Sequence, residues 1–412
     1  MNPIYTVFVY TVWFLSTYFV ITFLLHLIKY KKKLFEEPKE LTKNFPKVSI
    51  LVPSYNEEKT IKATILSLKK IDYPKSKVEI LIINDGSKDR TAKIAAKYHD
   101  GKHIIFVDNI KNKGKAACLN QGIDLATGDY IACMDADSMV KPNILKATIP
   151  HFAKKKIGVV TVTVEVNETK TFLQKVIDLE FILGLSLFLR VFSFLNCVFV
   201  TPGPFSIYRA NLLRQIGGFD VNNITEDLEI AYRIHKAGYK IENTMKTKVV
   251  TDVPPTFKEL HVQRKRWYSG AILTFWQHKN ILFDKKVGLF KYFLPFNYSI
   301  IFLGIGLFLY SLFLTVKNAL EYIWMYRFTG FNFFSNFELS IDPLNISVFT
   351  FFGYTGILLT LLFTVIGLRS AQKTIRKRLF GFFGYLFLFL LYQFFWMSSI
   401  YNVAMKKKIK WR

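Results

Sequence analysis

The sequence predicts an α/β domain with a doubly wound sheet, set between helices long enough to cross a membrane. Three observations predict it. Four apolar runs sit near the two ends of the chain, strand and helix patterns alternate through the middle, and acidic residues recur where the strands stop.

Ile4 to Ile28, Phe293 to Val316, Val348 to Leu368 and Leu379 to Ala404 are almost free of charge. Each is about 20–25 residues long, and about 20 helical residues span a hydrocarbon core. The first run lacks the basic start and small-residue cleavage site of a secretory leader. Lys29-Tyr30-Lys31-Lys32-Lys33 follows it. Basic residues gather on the cytoplasmic side of spans, so the charged middle is expected in the cytoplasm of a multi-pass plasma-membrane protein. Cys118, Cys133 and Cys197 need no disulfide framework in such a reducing compartment. The formal net charge is +26. The lysines mostly flank the spans, where anionic lipid heads account for them, so membrane lipids and not nucleic acid are the expected partners. On this reading 1–29 is an N-terminal transmembrane helix. Residues 30–290 form the soluble domain, with interfacial amphipathic helices near 172–200 and 256–285. Residues 291–412 are a membrane region of two to three helices with a basic tail.

Val48 to Val52 is a near-continuous apolar strand, the kind that suits a parallel sheet covered on both faces. It ends in Pro53-Ser54-Tyr55-Asn56-Glu57-Glu58, after which Ile61, Ile65 and Leu68 recur at helical spacing. Val78 to Ile83 is the next strand and ends in Asn84-Asp85-Gly86-Ser87. Thr91 to Tyr98 reads as helix, His103 to Val107 as strand, Lys115 to Ala126 as helix and Tyr130 to Met134 as the fourth strand. This alternation predicts the doubly wound sheet. Ligands bind such sheets at the carboxyl ends of strands, where Tyr55, Glu57, Asp85 and Asp137 lie. Asn-Glu and Asp-Gly-Ser are also ordinary caps and turns, so the convergence carries the site and no single motif does. Asp135 and Asp137, one residue apart at a strand end, can converge on one hard cation. Mg²⁺ or Mn²⁺ held by one or two carboxylates plus substrate phosphates fits that pattern.

Phe172 to Val200 is apolar but interrupted by Lys175, Asp178, Glu180 and Arg190, which predicts an amphipathic helix along a membrane surface. In Thr201-Pro202-Gly203-Pro204-Phe205-Ser206-Ile207-Tyr208-Arg209 two prolines and a glycine predict a tight loop where a ligand can approach the backbone. Asp252, before Pro254-Pro255, is a further acidic candidate. Lys317 to Asn345 reads as an outer loop and the basic Arg369 to Arg378 as an inner one. A full span by Leu379 to Ala404 would then leave Lys406-Lys407-Lys408-Ile409-Lys410 outside, against the charge rule, unless that segment is re-entrant or interfacial.

Six motifs occur in order: Val52-Pro53-Ser54-Tyr55-Asn56-Glu57, Asn84-Asp85-Gly86-Ser87, Asn112-Lys113-Gly114-Lys115, Asp135-Ala136-Asp137, Thr225-Glu226-Asp227 and Gln263-Arg264-Lys265-Arg266-Trp267. Together they resemble the processive family 2 glycosyltransferases, the membrane synthases of poly-N-acetylglucosamine, hyaluronan, chitin and cellulose. The resemblance covers roughly Val48 to Ile272 and the flanking spans. It implies a GT-A-type, Rossmann-like cytoplasmic domain and an inverting enzyme that elongates an extracellular polysaccharide from a nucleotide sugar, UDP-N-acetylglucosamine or UDP-glucose in type. It implies that Tyr55, Glu57 and Asp85 hold the uracil and ribose, with Lys115 near the nucleotide. Asp135 and Asp137 bind the sugar nucleotide and its Mn²⁺ or Mg²⁺, with Asp137 the direct ligand. Asp227 is the general base, next to Glu226. Gln263 and Arg266 grip the diphosphate, and Trp267 packs beneath the acceptor sugar of the growing glycan. Gly203 lies in the segment that lines the sugars. A small membrane accessory subunit is compatible with the resemblance.

The chemistry asks for these residue types independently. Charge developing on a leaving diphosphate calls for a metal ion and an arginine. An attacking hydroxyl calls for a carboxylate within hydrogen-bond reach. The apolar face of a sugar suits a broad aromatic ring. Asp227 also suits a cap of the helix Leu228 to His235, and Trp267 a membrane-interface anchor. Aromatic residues within the apolar runs, among them Phe302, Phe308, Tyr310, Phe387, Tyr392 and Trp396, offer stacking faces to a polymer without buried charge. Two other functions share part of the pattern. One is transfer of a single sugar to a lipid phosphate, against which Gln263 to Trp267 stands. The other is a non-catalytic export or assembly scaffold, against which the intact Asp85, Asp137, Asp227 and Arg266 stand. The short chain favours the poly-N-acetylglucosamine type. However, Val164-Glu165-Val166-Asn167 departs from the basic residue usual there in those relatives.

Overall fold

The structure is a computed structural model that describes residues 3–36, 38–39, 43–329 and 348–407. Part of the outer-loop reading (330–347) and part of the basic tail (408–412) fall outside them. In chain order the helices and strands are α1 (Pro3–Tyr30), β1 (Val48–Ser54), α2 (Ile61–Lys69), β2 (Val78–Asp85), α3 (Thr91–Ala96), β3 (Ile104–Asn109), α4 (Lys115–Leu125), β4 (Tyr130–Cys133), β5 (Ser138–Val140) and α5 (Ile144–Thr148). They continue with β6 (Ile157–Val166), α6 (Phe172–Phe181), α7 (Leu189–Phe194), β7 (Ser206–Arg209), α8 (Ala210–Gln215), α9 (Glu226–Lys236), β8 (Lys240–Thr251), α10 (Phe257–Gln277), α11 (Phe290–Thr329), α12 (Val348–Ser370) and α13 (Leu379–Ala404).

The chain forms two compact units, Met1–His26 with Leu294–Ile366, and Leu27–Phe293 with Gly367–Arg412. In the first, α1 meets α11 and α12. Trp13 stacks on Phe352 at 4.3 Å, its indole N–H donates to Thr355 over 3.4 Å, and Tyr5 shares a 3.3 Å hydrogen bond with Ser311.

The second unit holds an eight-stranded sheet in the order β3-β2-β1-β4-β7-β6-β8-β5. The half that the sequence predicts, β3-β2-β1-β4, is parallel throughout. Every residue of β1 is buried, as continuous apolar strands covered on both faces require. The other half is mixed. β7 runs antiparallel to both β4 and β6, and β5 antiparallel to β8. Thus part of the expected tight loop, Ser206–Arg209, is a central strand.

Of the run 172–200, residues 172–194 are helical, with a π turn over Ile182–Phe188 between α6 and α7, and the last six residues are a turn and irregular chain. Arg190, which breaks its apolar pattern, is only 1% exposed. Its guanidinium donates to the carbonyls of Lys33, Leu34, Glu36 and Asn243. One planar fork of donors therefore pins the chain after α1 and the middle of β8 to α7.

Among the described residues, four helices are long and apolar enough to cross a membrane: Tyr5–Lys33, Phe290–Phe328, Phe351–Ser370 and Gly381–Ala404. The last belongs to the second unit, where it packs on α6 and α10. Gly384 allows this: a Cβ there would collide with Val176 and Phe172. Arg378, just before α13, pairs with Asp178 of α6 at 2.9 Å.

Arg190→Ala leaves buried carbonyls without donors. We expect it to destabilise the second unit by about 3 kcal/mol, read as a lower unfolding midpoint of the solubilised protein. Arg190→Lys, which lacks the fork, should recover only part of that.

Candidate active site

Strands β2, β1 and β4 are adjacent and parallel, so their carboxyl ends open on one edge of the sheet. At the end of β2, Asp85 is 3% exposed. Its two carboxylate oxygens accept from the backbone N–H of Lys113 at 2.7 Å and of Gly114 at 2.9 Å. Asp85 thereby fixes the turn that starts α4. Gly86, at φ +67°, lets that turn come close, since a Cβ would lie 2.9 Å from the Asn112 nitrogen. Tyr55 is exposed after β1. The Glu57 N–H donates to Thr91 over 2.7 Å, and its carboxylate accepts from Thr60 at 2.9 Å.

The first residue of α4 is Lys115. Its ammonium lies 2.6 Å from Asp135 Oδ1 and 2.8 Å from Glu226 Oε1. It thus joins the end of β4 to the start of α9. Burial disfavours the charge on Lys115, but Asp135, Glu226 and Asp227 outweigh it and hold the ammonium protonated well above the usual lysine range. Asp135 donates its N–H to the Gly203 carbonyl over 3.1 Å. A Cβ on Gly203 would stand 2.7 Å from Asp135 Oδ2 and 2.8 Å from the Lys115 ammonium. Only a glycine leaves room for that pair.

Asp227 follows Glu226 in the first turn of α9, where the helix dipole favours negative charge. Its carbonyl accepts from Thr201 N–H at 3.0 Å and from the Thr201 hydroxyl at 2.8 Å, and Tyr208 in turn donates to that hydroxyl over 2.9 Å. Its carboxyl is pushed up to about 6, first by burial and then by the Glu226 charge, against the pull of Lys115 and Arg266. A small cavity opens between Lys115, Met134, Thr201, Gly203, Glu226 and Asp227.

Asp137 lies two residues beyond Asp135, in the turn between β4 and β5. Its Oδ1 accepts from Ser138 at 3.2 Å and Thr251 at 3.4 Å. Among the described residues no three His, Cys, Asp or Glu side chains gather as a metal cage. Asp135 is paired with Lys115, and Asp137 accepts from two hydroxyls. A hard divalent ion completed by substrate phosphate oxygens fits that donor set.

Gln263, Arg266 and Trp267 share one face of α10 at three- and four-residue spacing. Gly270, one turn on, touches Thr225, the residue before α9, so closely that a Cβ would overlap its side chain. This crossing sets the Arg266 charge near Asp227. His278 beyond α10 holds Glu229 of α9 at 2.8 Å. The Oε1 of Gln263 is buried and meets no hydrogen-bond partner among the described residues. Trp267 lies 4.2 Å from the guanidinium of Arg264, which is itself paired with Glu180 at 2.7 Å.

The structure thus brings Lys115, Asp135, Gly203, Glu226, Asp227 and Arg266 together. Asp85 acts here through the Lys113–Gly114 backbone, and Asp252 is exposed and accepts from Asn167 at 3.2 Å. Sequence reasoning missed Thr201, Gly270 and the Arg264–Glu180 pair. Thr201 and Gly270 lie inside or beside quoted motifs, but their partners are far along the chain.

The model of the family described as glycosyl transferase family 2 matches residues 49–217. A poly-beta-1,6-N-acetyl-D-glucosamine synthase of Staphylococcus epidermidis is 31% identical over 309 residues, 74% of this chain and 73% of that protein. The chain belongs to glycosyl transferase family 2. The synthase of the same name from Staphylococcus aureus strain COL is 33% identical over 225 residues, 54% of each chain. A mannosyltransferase of Pyrobaculum calidifontis, solved with GDP-Man and Mn²⁺, superposes with a TM-score of 0.59 over 96% of this chain and 100% of its own. At 18% identity that likeness speaks for the GT-A fold alone. The protein is a glycosyltransferase.

Gly203→Ala should leave the protein folded while it pushes Asp135 and Lys115 apart. A displacement of about 1 Å in a catalytic constellation lowers turnover by about 10²-fold. Sugar-transfer rates beside an unchanged unfolding midpoint check this.

Proposed function

We propose that this glycosyltransferase elongates a poly-N-acetylglucosamine chain processively, with inversion, from UDP-N-acetylglucosamine at the cytoplasmic face. The observation that carries the reading is the Asp227 carboxyl, buried beside Glu226, raised to about 6 and yet within the field of Lys115 and Arg266. A base near neutrality and a cation for the leaving diphosphate are what sugar transfer requires. The staphylococcal relatives support the sugar, and the lysines after α1 support the side.

In this reading Asp227 takes the proton of the acceptor hydroxyl as its oxygen bonds to the anomeric carbon. The bond from that carbon to the diphosphate oxygen breaks, and UDP leaves with the electron pair. Arg266 and Gln263 hold the diphosphate, Gln263 through its amide N–H group. Lys115 neither gives nor takes a proton. It pairs directly with Asp135 and Glu226, while burial and the Glu226 charge raise the Asp227 carboxyl. Asp137 would hold Mn²⁺ or Mg²⁺, which when bound supplies positive charge against the diphosphate. Trp267 offers its ring to the acceptor.

Asp227→Asn should keep UDP binding and lower turnover by about 10²–10⁴. A variant that binds UDP and keeps more than about a tenth of the parent rate makes Asp227 a helix cap. Because the base form is the deprotonated one and the carboxyl lies at about 6, kcat/KM should fall as pH drops through that value and level off above it. An excess of chelator should abolish transfer and Mn²⁺ or Mg²⁺ restore it, with Asp137→Asn unresponsive. In sealed vesicles with the sheet domain outward, polymer made from external donor should become resistant to added glycan hydrolase.

A further inference from the structure

Within the second unit a cleft of about 270 Å³ shares no lining residue with the active-site cavity. Its floor is β6, its walls are a bulge of β8 and the π turn, and its rim is the linker between α12 and α13. Met245, Lys246 and Thr247 are the bulge: Val162 pairs with Thr244, but Thr163 pairs with Lys248. Bulges re-aim side chains, and this one turns the strand into the cleft. The π turn contributes Ile182 and Ser186, and such turns recur at functional sites.

The cleft is strongly cationic. Lys141, Lys246, Lys248 and Lys373 line it against a single carboxylate, Glu165. Lys248 lies 2.6 Å from Glu165 Oε2, and Lys373 pairs with its other oxygen. Nearby Asp178 is committed to Arg378. One carboxylate thus serves two ammonium groups at close range, and surplus positive charge in a partly buried space calls for an anion. A second observation points the same way. Thr163 lines the cleft, is 6% exposed, and its buried hydroxyl has no hydrogen-bond partner among the described residues.

We propose that this cleft binds a phosphate group, held by Lys373 and Lys248 with Thr163 as the hydroxyl donor. Lysine ammonium groups are point-charge partners for phosphate. The phosphate belongs either to an anionic phospholipid headgroup or to a water-soluble ester. Lys373 stands three residues after α12, a helix long and apolar enough to cross a membrane, which places it at headgroup depth if α12 spans the bilayer.

The test uses the full chain and its Thr163→Val, Lys373→Gln and Lys75→Gln variants. Thr163→Val removes an unpaired buried hydroxyl, so it should fold at least as well as the parent without ligand. Lys75 lies on the far loop before β2 and is a charge control. Thermal midpoints are read in phosphatidylcholine nanodiscs with and without phosphatidylglycerol, and with dissolved glycerol phosphate, since a ligand of the folded state raises the midpoint. The expected result is a rise with one of the two probes. The rise should be retained by Lys75→Gln, with affinity about tenfold or more weaker in Thr163→Val and Lys373→Gln. A rise with phosphatidylglycerol alone names the lipid, and one with glycerol phosphate names the soluble ester. No rise with either probe, an equal rise in Thr163→Val, or an equal loss in Lys75→Gln overturns the proposal. Should Lys373→Gln not fold, Thr163→Val decides alone.

Discussion

Lys115 is the constraint on which the site depends. Three carboxylates converge there from β4 and α9, and like charges at that density in a buried place repel and lose hydration. One ammonium, 2.6 Å from Asp135 and 2.8 Å from Glu226, makes the gathering tolerable. The compensation is uneven, and the unevenness is useful. Asp135 and Glu226 each receive a direct bond, while Asp227 feels Lys115 only through space and rises to about 6. One cation thus sorts chemically equal side chains into partners and a titrating group. Its own position descends from Asp85, which clamps the backbone just before α4.

The site is also held from the far side. Gly270 lets α10 lie directly on Thr225, and His278 clasps Glu229. The helix that carries Asp227 and the helix that carries Arg266 are therefore fastened to each other at two places. Trp267 is backed by the Arg264–Glu180 pair. Arg264 is 1% exposed, so its positive charge is committed to that backing.

How much could be read from the chain follows from the range of the forces involved. Strands β1 and β2 were legible because burial on both faces writes an apolar run into the sequence itself, as in Val48 to Val52. β7 was not, because Pro202 and Pro204 mark a turn whatever comes after them, and pairing with β4 and β6 is a long-range matter. Arg190 read as the polar face of a surface helix, but the carbonyls that satisfy it come from residues more than fifty positions away. In the site, Asp227, Glu226, Lys115 and Arg266 were legible as motif residues because their chemistry demands their type. That Asp85 works through backbone N–H groups, or that Asp135 belongs to Lys115, depends on which of several plausible partners comes nearest. Only the folded chain decides that.

The pairing of α10 with α13 bears on how this enzyme can be dissected. Tyr268 lies flat on Trp396 at 4.3 Å, His261 meets Phe395 edge-on at 5.1 Å, and Tyr392 sits beside Arg264. The inner wall of α13 is thus the outer wall of the helix that carries Arg266. A soluble fragment cut after the sheet domain would strip that wall, bare a row of aromatic rings and leave the Arg264–Glu180 pair open to water. The apolar C-terminal helix is part of the scaffold of this unit in the same sense as the sheet. Anyone who seeks a membrane-free form of this enzyme must replace that surface rather than delete it.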